Sequence, residues 1–174
     1  AGTYATGSYN TFVGGKAGEG GQTSAPYSSG QYNTAFGYQA LDAFTTGPGN
    51  TAVGVNAGAY NVTGQNNTYL GYAAGLGVST KSHSGCIFIG MNAGLAAYTG
   101  DNNIAIGHGA MDDVDADATV GASHSNIFMG TDAGGGTWVT AASNYNVAIG
   151  HTAMDAAMNG ALYNTAVGYL SLSA

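Results

Sequence analysis

The chain has 174 residues, of which 31 are glycine and 2 proline; only 6% are charged, and the formal net charge is −7. Lys16 and Lys81 are the only basic side chains, so the chain cannot neutralise a nucleic-acid backbone or bind an anionic lipid surface through basic residues. No apolar run approaches the roughly 20 residues of a membrane-spanning helix, and a single cysteine, Cys86, excludes an internal disulfide framework.

From the N terminus onward one motif recurs, Asn-(Thr/Ile/Val)-x-(apolar)-Gly-x-x-Ala. It runs from Asn10 to Gly14, Asn33 to Gly37, Asn50 to Gly54 and Asn67 to Gly71; Cys86 then replaces the asparagine ahead of Gly90. Four more copies follow, from Asn103 to Gly107, Asn126 to Gly130, Asn146 to Gly150 and Asn164 to Gly168. Successive motif glycines stand 17 to 23 residues apart. A period of that length is the mark of a repeat architecture in which each unit contacts only its neighbours. The pattern predicts an all-β fold, a parallel β-solenoid of about nine rungs forming a single domain over 1–174.

Within each motif the residue after the asparagine is β-branched, from Thr11 and Thr34 to Val147 and Thr165, as suits an extended strand. Side chains alternate along a strand, so this column shares a face with Val13, Phe36, Val53, Leu70 and their equivalents. The column between them, Phe12, Ala35, Ala52, Tyr69, Phe88 and onward, points the other way. Both faces are apolar, and a strand apolar on both faces is normally covered on both, here by its own rung and by another chain. Stacked asparagines would bond along the array and satisfy turn amides. The motif glycines supply a corner with positive φ or a bulge, and the alanine three residues later marks close backbone approach.

Further elements fall between motifs. Thr46-Gly47-Pro48-Gly49, Thr63-Gly64-Gln65-Asn66 and Thr99-Gly100-Asp101-Asn102 are turn material. Asn61-Val62-Thr63 and Asn66-Asn67-Thr68 match glycosylation acceptors. The acidic run holding Asp113, Asp115 and Asp117 sets carboxylates at alternate positions, a weak calcium candidate beside the simpler reading of a solvated loop; otherwise no cofactor is expected. His108 and His151 share the column after the motif glycine, and a separation of ~14 Å on strand spacing keeps them from sharing a metal. The stretch from Met154 to Met158 is the best helical fragment and is read as a loop or single turn. His83, Ser84 and the scattered aspartates make no catalytic spacing, and the chain is read as a non-enzyme. Tyrosine offers the one binding chemistry: Tyr38, Tyr72 and Tyr169 after motif glycines, and Tyr60 and Tyr98 in loops, are candidate glycan contacts.

Asn102-Asn103-Ile104-Ala105-Ile106-Gly107 and Tyr145-Asn146-Val147-Ala148-Ile149-Gly150 resemble the head repeats of trimeric autotransporter adhesins. Asn50-Thr51-Ala52-Val53-Gly54 and Asn164-Thr165-Ala166-Val167-Gly168 are similar to the Asn-Thr-Ala-Val-Gly arrays of phage tail fibres and bacterial surface proteins. The resemblance implies a left-handed β-roll in a homotrimer, an extracellular, cell-surface or virion location, and a rigid shaft presenting loops to a cell-surface receptor or glycan. An end-to-end self-assembling filament is the alternative. A threonine ladder binding ice or mineral ranks below both, because the column changes to Ile87, Ile104, Ile127 and Val147.

Overall fold

The computed structural model describes residues 1–21, 28–78, 81–96, 100–112, 123–136, 141–156 and 160–173. Each motif forms a three-residue strand: β1 (Thr11–Val13), β2 (Thr34–Phe36), β3 (Thr51–Val53), β4 (Thr68–Leu70), β5 (Ile87–Ile89), β6 (Ile104–Ile106), β7 (Ile127–Met129), β8 (Val147–Ile149) and β9 (Thr165–Val167). All pair in parallel and in chain order as one nine-stranded sheet. Equivalent motif positions lie directly opposite one another, as in Thr34↔Thr51, Ala35↔Ala52 and Phe36↔Val53. The protein is an all-β parallel β-solenoid, with no helix among the described residues.

The strands are short because the residue that ends each one cannot be anything but glycine. From Gly14 to Gly168 the motif glycines have φ between +122° and +141°, a region that L side chains rarely occupy. Contact forbids a side chain independently: a Cβ on Gly107 would collide with the carbonyl oxygen of Gly130 in the next repeat. The chain therefore turns at the glycine and enters a tight turn. There the alanine three residues on, Ala17 through Ala153, is fully buried against the stacked backbones.

The core lies between the inward middle column of the strands and this turn. It is filled by a size exchange within the repeat. Where the strand contributes an aromatic ring, as at Phe12, Tyr69, Phe88 and Phe128, the residue six positions later is Gly18, Gly75, Gly94 or Gly134. Where the strand contributes alanine, as at Ala35, Ala105 and Ala148, that later position holds Leu41, Met111 or Met154, all buried. A Cβ on Gly94 would come within 2.6 Å of the Phe88 ring, so ring and side chain compete for one volume. Repeat three, with Ala52 and Gly58, is small on both sides. It borrows from its neighbours: a Cβ on Gly58 would meet Tyr69 at 2.5 Å and Leu41 at 3.0 Å. Leu41, Met111 and Met154 keep the positive φ of the glycines they replace, 51° to 56°. The stretch from Met154, read from the sequence as a loop or single turn, is a turn at Met154 with its side chain buried in the core, while Met158 lies outside the described residues.

Candidate functional site

Two features run the length of the solenoid, a polar ladder inside one edge and an apolar face outside. The ladder is built from asparagine side chains that each serve two repeats. Asn33 Oδ1 accepts from the Asn50 backbone N–H at 2.8 Å and from Asn50 Nδ2 at 3.1 Å; Asn50 Oδ1 accepts the same pair from Asn67. Each amide nitrogen also reaches a turn carbonyl, as Asn50 Nδ2 does to Gly64 O at 2.9 Å and Asn126 Nδ2 to Ser143 O at 2.8 Å. Asn103, Asn126, Asn146 and Asn164 continue the series, and Asn10 begins it with its Oδ1 on the Asn33 N–H. Buried amides and carbonyls are paired with one another in this way.

At Cys86 the ladder changes chemistry. Its N–H still donates to Asn67 Oδ1 at 2.9 Å, but its thiol turns to Gly100 O at 3.3 Å. Burial pushes the Cys86 thiol up to about 12, so it is protonated and a poor nucleophile at neutral pH. Beside it lies a buried polar chain that sequence reasoning did not find. Asn61 Nδ2 donates to Tyr69 Oη at 2.6 Å, and Tyr69 Oη is hydrogen-bonded to His83 Nε2 at 2.7 Å. Burial pushes the Tyr69 hydroxyl well above its usual range. Asn61, read as a glycosylation acceptor, is buried with its amide nitrogen occupied by Tyr69, and is closed to modification in this fold; Asn66 is exposed. The signal for Asn61 as a core residue was weak, because it occurs once and outside the repeated motif.

The outer face of the sheet carries the first and third residues of every strand. Its third-residue column is apolar and its first-residue column is threonine in β1 to β4 and β9 and Ile or Val in β5 to β8; Phe36 is 57% exposed, Leu70 46% and Val167 67%, with Ile87, Met129 and Ile149 also exposed and Val53, Ile89 and Ile106 half-buried. Exposed tyrosines border it. Tyr38, Tyr72 and Tyr169 stand in one column past the glycine corner, and Tyr60 is exposed in a separate turn. Tyr98 lies outside the described residues. Two pairs that sequence reasoning missed are stacked along the array: Tyr9 on Tyr32 with centroids 5.1 Å apart and planes 6° off parallel, and Tyr145 on Tyr163 at 5.1 Å and 3°. All four occupy the position before the asparagine with φ near 60°, a conformation unusual for tyrosine. Their shared place relative to the motif was the available signal.

Away from the Tyr69–His83 pair, the titratable groups among the described residues do not gather into one site. Asp113, Asp115 and Asp117 lie outside the described residues, and among those described no group of three or more His, Cys, Asp or Glu side chains could hold a metal ion. His108 and His151 are closer than strand counting from the sequence gave, since only β7 separates their repeats and two sheet steps span ~9.6 Å. His108 Nδ1 lies 3.7 Å from Asp132 Oδ1. Partial burial raises the carboxyls of Asp42 and Asp155, reinforced by Glu19 near the first and Asp132 near the second. Lys16 Nζ lies 3.7 Å from Glu19 Oε2. None of these groupings places a nucleophile beside a base.

No family model matches the chain, and neither a curated protein nor a solved structure is significantly similar to it.

Proposed function

We propose that this chain is a structural and adhesive fibre segment of the phage tail-fibre or trimeric surface-adhesin type, in which nine rungs form a left-handed shaft and three copies associate. The observation that carries the reading is the outer sheet face. Soluble monomers rarely expose a continuous apolar patch of more than a few hundred Å². Here exposed apolar side chains recur along the outer face, at Val13, Phe36, Leu70, Ile87, Met129, Ile149 and Val167, and another copy of the same face would bury them. The inner ladder supplies rigidity, and the turns and tyrosines supply contacts with a cell-surface receptor or glycan. Function lies in shape and surface, with no catalysis and no cofactor, at a cell surface or on a virion. The resemblance of the Asn-Thr-Ala-Val-Gly arrays to fibre repeats supports the same reading.

Light scattering on the purified chain tests it: a mass of three chains is the expected result, and a monomer at micromolar concentration would overturn it. A Phe36→Ser, Leu70→Ser double substitution changes exposed positions only, and should shift the mass toward one chain while leaving the β-sheet spectrum intact. The alternative is an end-to-end filament of stacked solenoids. An open-ended mass distribution in the same measurement would select it.

A further inference from the structure

The column immediately after the motif glycine has a regularity of its own. Through the nine repeats it reads Gly15, Tyr38, Val55, Tyr72, Met91, His108, Thr131, His151 and Tyr169, so a flat ring stands at every even-numbered repeat. An unbroken series of hydrogen bonds locks the spacing. Asn56 N donates to Tyr38 O at 2.9 Å, Ala73 N to Val55 O at 2.9 Å, Asn92 N to Tyr72 O at 3.0 Å, and Gly109 N to Met91 O at 3.0 Å. Asp132 N to His108 O and Thr152 N to Thr131 O extend it to the eighth repeat. Neighbouring members are therefore one sheet step apart, and successive rings two steps, or ~9.6 Å.

The rings are open to solvent. Tyr38 is 51% exposed and Tyr72 55%, His108 and His151 are exposed, and Val55 and Met91 between them are exposed apolar spacers. Gln39, Asn56 and Asn92, each next in sequence to a column member, form a half-buried polar edge alongside. A row of exposed aromatic rings with amides beside it suits sugar rings, whose C–H faces stack on aromatics while their hydroxyls take hydrogen bonds. Spacing selects among sugars. In an extended β-1,4-linked polysaccharide each sugar is flipped relative to the last, so equivalent faces recur once per disaccharide, a length close to two sheet steps. An α-1,4-linked chain coils away from a straight row.

We propose that the Tyr38, Tyr72, His108 and His151 column is a binding track for an extended β-1,4-linked polysaccharide laid along the solenoid axis, one disaccharide per ring. It rests on the glycan-binding half of the reading above and moves that contact from the loops to the repeat faces. Tyr169, adjacent to His151 with its ring turned 66° from it, ends the regular part of the track.

Depletion of the purified chain by microcrystalline cellulose, by chitin and by granular starch tests this directly. Binding to cellulose, to chitin or to both, with none to starch, is the expected result, and the preferred solid identifies the sugar. Tyr38→Ala with Tyr72→Ala should weaken binding roughly tenfold or more. The decisive variant is Val55→Tyr with Tyr72→Ala, which keeps the number of tyrosines but sets them one step apart; it should bind as weakly as the double alanine. Retention by that variant, equal uptake by starch, or no uptake by any solid would overturn the proposal. Light scattering on the same samples separates the readings: a trimer that ignores all three solids sinks the track and leaves the fibre, and a monomer that binds cellulose does the reverse.

Discussion

The stretch around β4 and β5 and the stretches around β6 and β8 solve one packing problem from opposite walls. At β4 and β5 the strand supplies Tyr69 and Phe88, and the turn recedes to Gly75 and Gly94; at β6 and β8 the strand recedes to Ala105 and Ala148, and the turn supplies Met111 and Met154. The backbone is the same in both, down to the positive φ of the turn residue, +57° at Gly75 and +56° at Met111. What neighbouring repeats must conserve between them is therefore interior volume, because a close-packed core tolerates neither a void nor an excess methylene. A second difference follows from the first. The larger Tyr69 brings a hydroxyl inside, and Asn61 and His83 are there to pair it, whereas the methionine-filled repeats need no such partner.

The harshest way to break this comparison acts on the feature both regions share. Gly107→Val would meet a forbidden φ and the Gly130 carbonyl at once, and should cost about 2–6 kcal/mol or abolish folding of that repeat; an unchanged melting temperature would refute the corner's role. Next in size are the two fillings themselves. Phe88→Ala should cost about 3–5 kcal/mol and Met111→Ala about 2–5 kcal/mol, measured by chemical denaturation. The sharper test is exchange. Phe88→Ala with Gly94→Met recreates the β6 arrangement in β5 and should recover about 1–3 kcal/mol over the sum of the single changes; simple additivity would show that the two walls do not share one volume.

The ladder offers a gain in place of a loss. Cys86→Asn should supply the side-chain acceptor that the other repeats use, and raise stability by about 0.5–1.5 kcal/mol in the same denaturation series. The smallest effect is electrostatic. The folded Asp42 and Asp155 carboxyls lie above the ordinary value of 3.8, so the folded chain holds protons more tightly than the unfolded one. Stability from this source is complete below the ordinary value and is lost as pH rises through the raised ones, so melting temperature should climb modestly on acidification from neutral pH. Asp42→Asn with Asp155→Asn should flatten that slope.

Much of the architecture is legible in residue order, for a physical reason. A solenoid repeats its environment, so a constraint acting on one backbone position acts on all nine equivalents and leaves a column. The glycine column from Gly14 to Gly168, the asparagine column and the alternating strand triplets can each be read without coordinates, because local conformation and strand alternation require those residue types there. Tertiary structure alone decided what depends on two positions together. No single column shows that Phe88 and Gly94, or Ala105 and Met111, share a volume, since the constraint is on their sum and each column taken alone looks irregular. The same holds for Asn61, Tyr69 and His83, brought together from strand β4 and the segments either side of it by closure of the chain, and for the outer face. The sequence shows that face to be apolar, but burial by the chain's own backbone decides which of two apolar faces is left open, and the open one is the surface available to a partner.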